Sequence, residues 1–564
     1  MTMPAACAAL LRKESRSSFG KTVPCWTLLF TTAALLAGCA STPLPIWPAA
    51  PTPAQQPAHA PSLPSQGSLP AASPLPYSQA VGQRFPNPAV TYQTPGLQDG
   101  RNQFTSNAEL NALLKDLAQQ TLGKSPRLGL IHIGNSQGGQ PIHALMATKA
   151  EAIGPDAIDQ TGLPTLMVVA GQQGTDTAPT EALLVIAQSL APGGNMHSML
   201  QRANILLVPR ANPDGFDKQT SVTANGTPLT TDHLSLSTPE ARSLAKLVLQ
   251  YHPDVVLNTE EFNAIQPTLQ QFGAIRANDA GLHYGLTSNV HEFVVNAQTK
   301  WLHRALTDQL PKTGQRVDWA YQASSSDKML HMATSDPVSL INVSALKNIP
   351  SVTVQSRGAD IGHTHIQRRM HTHVTAITAA LNETIAHAQD LEKVRSFVSR
   401  DIASQACKGN VTVSSSPTQS ERTVVMLDPQ SGADVNVRAP WISAQQLRST
   451  LQRPRPCGYW LSAQNDQAVE KLRLLGVQVQ RIAESSPVAS DRYALVNGRI
   501  STARTPLDAE PNSFYVTLNQ PLANVAVAAL EPDNAFSFAR QGIVRNLEHI
   551  ARVMAPAGFV FEED

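Results

Sequence analysis

The sequence predicts an α/β protein in which a mostly parallel, mixed sheet is covered by helices on both faces. Continuous apolar runs occur at 128–133, 142–147, 166–170, 205–209 and 254–257. Apolar runs without polar alternation are typical of strands that are buried on both faces. Helical patterns separate several of these runs, as expected for an α/β architecture.

The helices between the strands have recognisable starts and ends. Residues 180–190 are predicted to form a helix after the third strand. Thr238 supplies an N-cap and Pro239 occupies the first position of a second helix, which Pro253 ends. From about residue 396 the pattern changes to short strand-like pieces rich in turn residues. We therefore expect a main domain over 96–395 and a smaller mixed domain over 396–564.

The N-terminus has the pattern of a targeting segment. Basic residues precede an apolar run at 26–37, which is short for a membrane span and typical of a signal peptide. The ending Leu-Ala-Gly-Cys resembles a bacterial lipobox. This resemblance implies a lipoprotein signal over 1–39, a lipid anchor on Cys39 and, because Ala40 follows, an outer-membrane position facing the periplasm. An ordinary secretory signal with an incidental cysteine is the alternative.

Residues 40–95 are rich in proline and are predicted to form a linker between the anchor and the body. The net charge of +1 gives no field that would favour nucleic acid. In the body only Cys407 and Cys457 remain, and an oxidising periplasm allows them to form a disulfide. Two buried free thiols are the other reading.

Gly134 to Gly138 match the G-x-S-x-G pattern of a serine hydrolase. That motif needs a helix after its serine, so that the hydroxyl is presented at the helix N-terminus. Here a second strand follows, and Ser136 is therefore predicted to lie in a hairpin turn.

Five segments in order carry a stronger signal. They are GNSQGGQPI at 134–142, RANPDG at 210–215, ANG at 224–226, the strand at 253–262 and SRG at 356–358. Together they resemble the zinc carboxypeptidase family (the carboxypeptidase A or funnelin group), in particular its bacterial lipoprotein-like members. The resemblance covers about 95–390, and 453–461 resembles the C-terminal extension of that subgroup. It implies a three-layer α/β/α sandwich and a zinc-dependent release of C-terminal residues.

The chain departs from the family at the positions that bind zinc. The family uses a histidine and a glutamate from one loop and a second histidine further on, which leaves one position for water. The matching residues here are Gln173, Asp176 and Glu260. The family's catalytic glutamate corresponds to Gln355, whose amide cannot accept a proton near neutral pH.

The positions that hold substrate in the family also differ. An Asn-Arg pair grips the terminal carboxylate there, and threonines stand at both places here, Thr230 and Thr231. Ser221 stands near a further arginine position, and Val343 stands where the family has a tyrosine.

These differences indicate a pseudoenzyme that binds a peptide, a peptidoglycan-type ligand or another envelope component, with no cofactor. A working metallocarboxypeptidase holding zinc is the alternative. The oxygen donors at the three zinc positions would suit Mg²⁺ or Ca²⁺ better than zinc, but we favour a hydrogen-bonded polar pocket. His363, His365, His371 and His373 fall on a predicted helix and are interpreted as surface or packing residues.

Overall fold

The computed structural model describes residues 75–562, which lie in one compact unit. The predicted signal peptide, Cys39 and most of the predicted linker therefore lie outside the described residues. Among the residues that are described, no helix is long and apolar enough to cross a membrane.

The structure contains an eight-stranded, a five-stranded and a six-stranded sheet. The strands are β1 (Arg127–Asn135), β2 (Pro141–Thr148), β3 (Thr165–Val169), β4 (Asn204–Val208), β5 (Val255–Phe262), β6 (Ile275–Arg276), β7 (Ala280–Tyr284), β8 (Val317–Trp319), β9 (Tyr321–Ala323), β10 (Leu330–Met332), β11 (Ser351–Arg357), β12 (Asn410–Leu427), β13 (Asp434–Pro454), β14 (Gly458–Leu461), β15 (Gln480–Arg481), β16 (Ser486–Val496), β17 (Arg499–Ala509), β18 (Phe514–Thr517) and β19 (Ile550–Val553).

Fourteen α-helices are present in the described part of the chain. They are α1 (Gln79–Gly82), α2 (Asn107–Gln120), α3 (Pro155–Asp159), α4 (Thr177–Leu190), α5 (Pro213–Lys218), α6 (Pro239–Tyr251), α7 (Thr268–Phe272), α8 (Glu292–Ala297), α9 (Arg304–Gln309), α10 (Leu340–Leu346), α11 (Ile366–Ala386), α12 (Ala388–Ser404), α13 (Asp466–Leu474) and α14 (Ala523–Leu530). A π-helical stretch, Gln298–His303, joins α8 to α9.

The eight-stranded sheet has the order β1-β2-β4-β3-β5-β11-β7-β8. Its four central strands, β4, β3, β5 and β11, run parallel, and antiparallel pairs flank them. All residues of β3 and β4 are buried, as expected from their continuous apolar sequences. The predicted α/β class with a mixed sheet is thus confirmed.

Alternation along β5 shows that helices cover both faces of this sheet. Val256 packs in the core that contains Leu244 of α6 and Leu340 of α10. Glu261, which points to the opposite face, contacts Thr177 of α4 and Arg369 of α11. The arrangement is the three-layer α/β/α sandwich that the family resemblance implied.

The C-terminal region contains the six-stranded sheet, ordered β15-β18-β14-β19-β16-β17. Its helices α13 and α14 share one apolar core with α6 and α10, since Leu472 and Ala526 belong to the same cluster as Leu244 and Leu346. The long hairpin formed by β12 and β13 connects the two regions. Cys407 and Cys457, at the two ends of this hairpin, are joined by a disulfide.

Ser136 lies in the turn between β1 and β2, which pair antiparallel. Its hydroxyl accepts a hydrogen bond from the amide of Gln140 at 2.9 Å. Because a strand rather than a helix follows it, Ser136 has the hairpin position that the sequence predicted.

Residues 75–106, which we call the N-terminal segment, pack against the body. Val81 and Phe85 are fully buried, so this packing begins before residue 95, where we placed the end of the linker. Four aromatic rings of the segment contact histidines of the loop before α11 and of its first turns. The ring pairs are Tyr77–His365, Phe85–His365, Tyr92–His371 and Phe104–His363.

The four histidines therefore have packing roles. The helix predicted to contain all of them begins later in the structure, at Ile366. His363 and His365 precede α11, and His365 has a positive φ of 55°. His373 is completely buried within α11, where Nε2 lies 3.0 Å from the hydroxyl of Ser356.

Candidate functional site

The residues at the predicted zinc and base positions lie at the carboxyl ends of three neighbouring parallel strands. Gln173 and Asp176 belong to the loop between β3 and α4. Glu260 on β5 stands directly beside Gln355 on β11. In open α/β sheets this edge is where ligands usually bind, because the loops that follow the strands form a crevice there.

Each predicted position is paired with another by an amide-to-carboxylate hydrogen bond. Nε2 of Gln173 donates to Oδ2 of Asp176 at 3.1 Å. Nε2 of Gln355 donates to Oε2 of Glu260 at 3.0 Å. The four residues that sequence comparison singled out thus form two hydrogen-bonded pairs at one edge of the sheet.

A chain of polar side chains leads from Glu260 into the protein interior. Nδ2 of Asn258 donates to Oε1 of Glu260 at 2.7 Å. Nε2 of Gln172 donates to Oδ1 of Asn258 at 2.7 Å, and Oε1 of Gln172 lies 2.6 Å from Nε2 of His233. Since an amide oxygen only accepts, Nε2 of His233 is the donor in that contact.

The sequence analysis did not identify Gln172, Asn258 or His233 as part of the site. Asn258 could have been found, because side chains two apart on a strand share a face and Glu260 follows it at that spacing. Nδ2 of Asn258 also lies 3.2 Å from the hydroxyl of Thr353, two residues before Gln355. No comparable spacing signal points to Gln172 or His233.

Asp176 is the most strongly perturbed acid in this region. It is 2% exposed, and burial raises the pKa of its carboxyl well above the usual value. The nearby carboxylates of Glu261 and Glu260 raise it further. Oδ1 of Asp176 has no hydrogen-bond partner among the described residues. The environment therefore favours the neutral acid, which needs no cation to balance it.

His233 is held in its neutral form. The pKa of this imidazole is lowered to about 4, mainly by burial; Asp232 raises it and Lys347 lowers it. A neutral imidazole that donates from Nε2 can accept only at Nδ1. His233 thus takes part in the hydrogen-bond chain as a donor.

Glu261, next to Glu260 in sequence, has a different role on the opposite face of the sheet. Its carboxylate accepts from the amides of Thr177 and Ala178 at 2.9 and 3.1 Å and binds Arg369 through two bonds of 2.8 Å. It therefore satisfies the first amides of α4, where a negative charge is favoured by the helix dipole. Asp176, at the N-cap position of α4, makes no capping bond itself.

Among the described residues, the positions predicted to hold substrate make no hydrogen bond to this network. Thr231 is exposed at the end of a 3-10 turn, Leu229–Thr231, and Ser221 is exposed as well. Thr230 is half-buried in the same turn. Val343 lies in α10, is 4% exposed and packs in the apolar core. It lines a small cavity together with His233.

The donor set does not fit zinc. Zinc sites in proteins use imidazole nitrogen, thiolate sulfur and carboxylate oxygen, usually with four ligands. Here the amide hydrogens of Gln173 and Gln355 are directed at the carboxylates that would have to coordinate the ion. Among the described residues no group of three or more His, Cys, Asp or Glu side chains is arranged to hold a metal.

Comparisons with known proteins agree with the family resemblance. Residues 111–238 match the family described as zinc carboxypeptidase. Carboxypeptidase 2 of Trichophyton rubrum is 24% identical over 395 residues, which cover 66% of this chain and 73% of that protein. Probable carboxypeptidase 2 of Arthroderma benhamiae is 24% identical over 384 residues, covering 64% and 72%.

Solved structures give similar but weaker matches. The metallo-carboxypeptidase of Burkholderia cenocepacia has a TM-score of 0.36 at 13% identity and covers 50% of this chain and 69% of that one. The metallo-carboxypeptidase of Pseudomonas aeruginosa has a TM-score of 0.35 at 15% identity, covering 50% and 68%. By these sequence matches, the chain is similar to the zinc carboxypeptidase family, whose model matches residues 111–238.

Proposed function

We propose that the protein is a lipid-anchored envelope protein that keeps the carboxypeptidase scaffold but does not hydrolyse peptides. The hydrogen bond from Gln355 to Glu260 carries this proposal. Hydrolysis in this family needs a carboxylate base to activate a zinc-bound water. A glutamine whose amide is already bonded to the neighbouring strand provides neither a base nor an open metal site.

The network supports a binding role for the cleft. Gln173 and Glu260 are partly exposed at this edge of the sheet, and the buried amides of Gln172, Asn258 and Gln355 lie behind them. This combination of amides and carboxyl groups is suited to peptide-like amides. We infer that a peptide, a peptidoglycan stem or another envelope component binds here. Thr230 and Thr231 carry no positive charge that could pair with the terminal carboxylate of a peptide. Recognition would therefore rest on hydrogen bonds to amide groups rather than on an ion pair with a C-terminus.

Metal analysis and a peptidase assay on the same purified protein test the loss of hydrolysis. We expect no zinc after dialysis against a chelator and no release of amino acids from peptides with zinc added back. A matched gain-of-binding variant carries Gln173→His, Asp176→Glu, Glu260→His and Gln355→Glu. It should acquire one zinc per chain if the scaffold is intact. The proposal would be overturned if the wild type held one zinc tightly and released amino acids from peptides in a chelator-sensitive reaction that Glu260→Ala abolishes.

That last outcome is what a working metallocarboxypeptidase predicts, and the names of the relatives favour it as the second candidate. Binding is tested separately, by titrating peptides and muropeptides into wild type and Gln355→Ala. Saturable binding that weakens in the variant supports the binding role, whereas no saturation with either ligand class indicates a structural protein.

The lipid anchor needs its own experiment, because Cys39 lies outside the described residues. We expect labelled fatty acid to be incorporated into the wild type and lost in Cys39→Ala. After cell fractionation the wild type should be found with the outer membrane. Release of the wild type into the soluble periplasmic fraction would contradict the anchor.

A further inference from the structure

Two histidines face each other across the hairpin at one edge of the eight-stranded sheet. His132 on β1 stands directly opposite His143 on β2. Their ring centroids are 5.6 Å apart, and the rings make an angle of 63°. His132 is exposed and His143 is half-buried, so the pair can be reached from solvent.

An asparagine fixes the tautomer of each ring. Oδ1 of Asn135 lies 3.0 Å from Nε2 of His132, and Oδ1 of Asn111, on α2, lies 2.9 Å from Nδ1 of His143. Because an amide oxygen only accepts, both of these ring nitrogens donate. The lone pairs of the neutral rings are therefore on Nδ1 of His132 and Nε2 of His143.

This arrangement is the one that metal-binding histidines use. A ligating imidazole commonly donates its other N–H to an oxygen, which orients the ring and makes the free nitrogen a better ligand. Two imidazoles on one tetrahedral ion, with metal–nitrogen bonds of about 2.0 Å, place their ring centroids about 5 Å apart. The observed centroid separation of 5.6 Å is close to this value.

We propose that His132 and His143 form a binding site for a divalent transition-metal ion such as Zn²⁺, Ni²⁺ or Cu²⁺. Imidazole nitrogen suits these ions, and water would fill their remaining positions. The neutral form that coordination needs is favoured at His143, because burial and the neighbouring His132 lower the pKa of its imidazole. The site is separate from the former zinc cleft, since β2 and β4 lie between β1 and β3.

Calorimetric titration of the full-length, tag-free protein with NiCl₂ and ZnCl₂ tests the proposal. We expect one ion per chain, and the loss of this binding in both His132→Ala and His143→Ala. His331→Ala is the matched control, because His331 is another partly exposed strand histidine, and glutamine rather than histidine stands opposite it on β9. Removing the orienting oxygen in Asn111→Ala should weaken binding about tenfold while the protein stays folded.

Two outcomes would overturn the site. One is the absence of saturable binding by the wild type, and the other is binding that persists unchanged in both histidine variants. Glu260→Gln separates this site from the cleft: binding that disappears in Glu260→Gln but not in His132→Ala would place the ion in the cleft. Metal binding in the cleft would also contradict the proposal that the protein has lost its zinc chemistry. Binding that disappears in His132→Ala but not in Glu260→Gln would leave that proposal unaffected. Electron paramagnetic resonance of the Cu²⁺ complex should show coupling to two nitrogens.

Discussion

Gln355 on β11 donates its amide to Glu260 on β5 at 3.0 Å, so that an amide and a carboxylate stand side by side on neighbouring parallel strands. The amide carries no charge that could neutralise the carboxylate. It does donate a hydrogen bond to one oxygen of Glu260, which is only partly exposed. This pairing provides a hydrogen-bond donor for a carboxylate at the carboxyl edge of the sheet.

Gln355→Glu tests this pairing. Two carboxylates at that distance repel each other when both are ionised, and the pKa of one of them rises. We expect the variant to lose about 1–3 kcal/mol of unfolding free energy at pH 8 and less at pH 5, where one carboxyl can be protonated. Urea denaturation at the two pH values measures the difference. Gln322→Glu, at an exposed position of β9, should behave like the wild type at both; equal losses in the two variants would contradict the pairing.

The Glu261–Arg369 ion pair should be far more important for stability than surface pairs. Both side chains are almost fully buried, and Arg369→Ala leaves the Glu261 charge without its partner. Breaking a buried pair in this way costs about 3–5 kcal/mol. Arg304→Ala, which removes an exposed pair with Asp308 at 3.7 Å, should cost less than about 1 kcal/mol. Denaturant titration of both variants checks the contrast, and equal midpoints would refute it.

Acid should loosen the N-terminal segment. Burial, followed by the charge of Arg357, lowers the pKa of His365 to about 4, against about 6.5 in an unfolded chain. Arg368 and Arg369 lower this pKa as well, whereas Asp279 raises it. A lowered pKa means that the unfolded chain binds the extra proton between these values.

The stabilising contribution of His365 is therefore complete above about pH 6.5 and is lost as the pH falls towards 4. Hydrogen exchange of residues 75–106, followed from pH 7 to pH 4, should show protection falling in this window. His365→Asn keeps a residue that tolerates positive φ and should flatten the dependence. His331→Asn, at an exposed histidine, should leave the dependence as in the wild type.

The disulfide should stabilise the base of the long hairpin. Cys407 and Cys457 are 50 residues apart in sequence, and closing such a loop in the unfolded chain is worth up to about 4 kcal/mol. Replacing both by serine should lower the melting temperature, and a reductant should lower that of the wild type but not that of the variant. The expectation would be contradicted if the wild type, unfolded and refolded in the presence of reductant, had the same melting temperature as without it.

The elements that form the central sheet could be predicted because their signals are local. β3, β4 and β5 follow from uninterrupted apolar runs, and α6 follows from its N-cap and its terminal proline. The hairpin of β12 and β13 was only partly predicted, at 422–427. Much of its length is Ser, Thr and Gln with little apolar alternation, and the pairing between its strands provides the order that the composition does not.

The candidate site, too, could be predicted only in part from the sequence. The positions of Gln173, Asp176, Glu260 and Gln355 could be found because each lies in or beside a segment that resembles a family motif. Gln172 forms hydrogen bonds with His233 and Asn258, which are 61 and 86 residues away in sequence, and no local sequence pattern predicts these contacts. Val343 was assigned from alignment alone, and its burial on α10 depends on the packing of α6 and α10.

The contacts of the N-terminal segment decide where the chain can be cut. A shortened protein that begins after Phe104 would lose all four rings that cover the histidines near α11. It would also bring the amide of Thr105, which donates to the buried carboxylate of Glu181 at 2.8 Å, to the very start of the chain. A shortened version intended for crystallisation should therefore begin near residue 75, well before residue 111, where the family match starts.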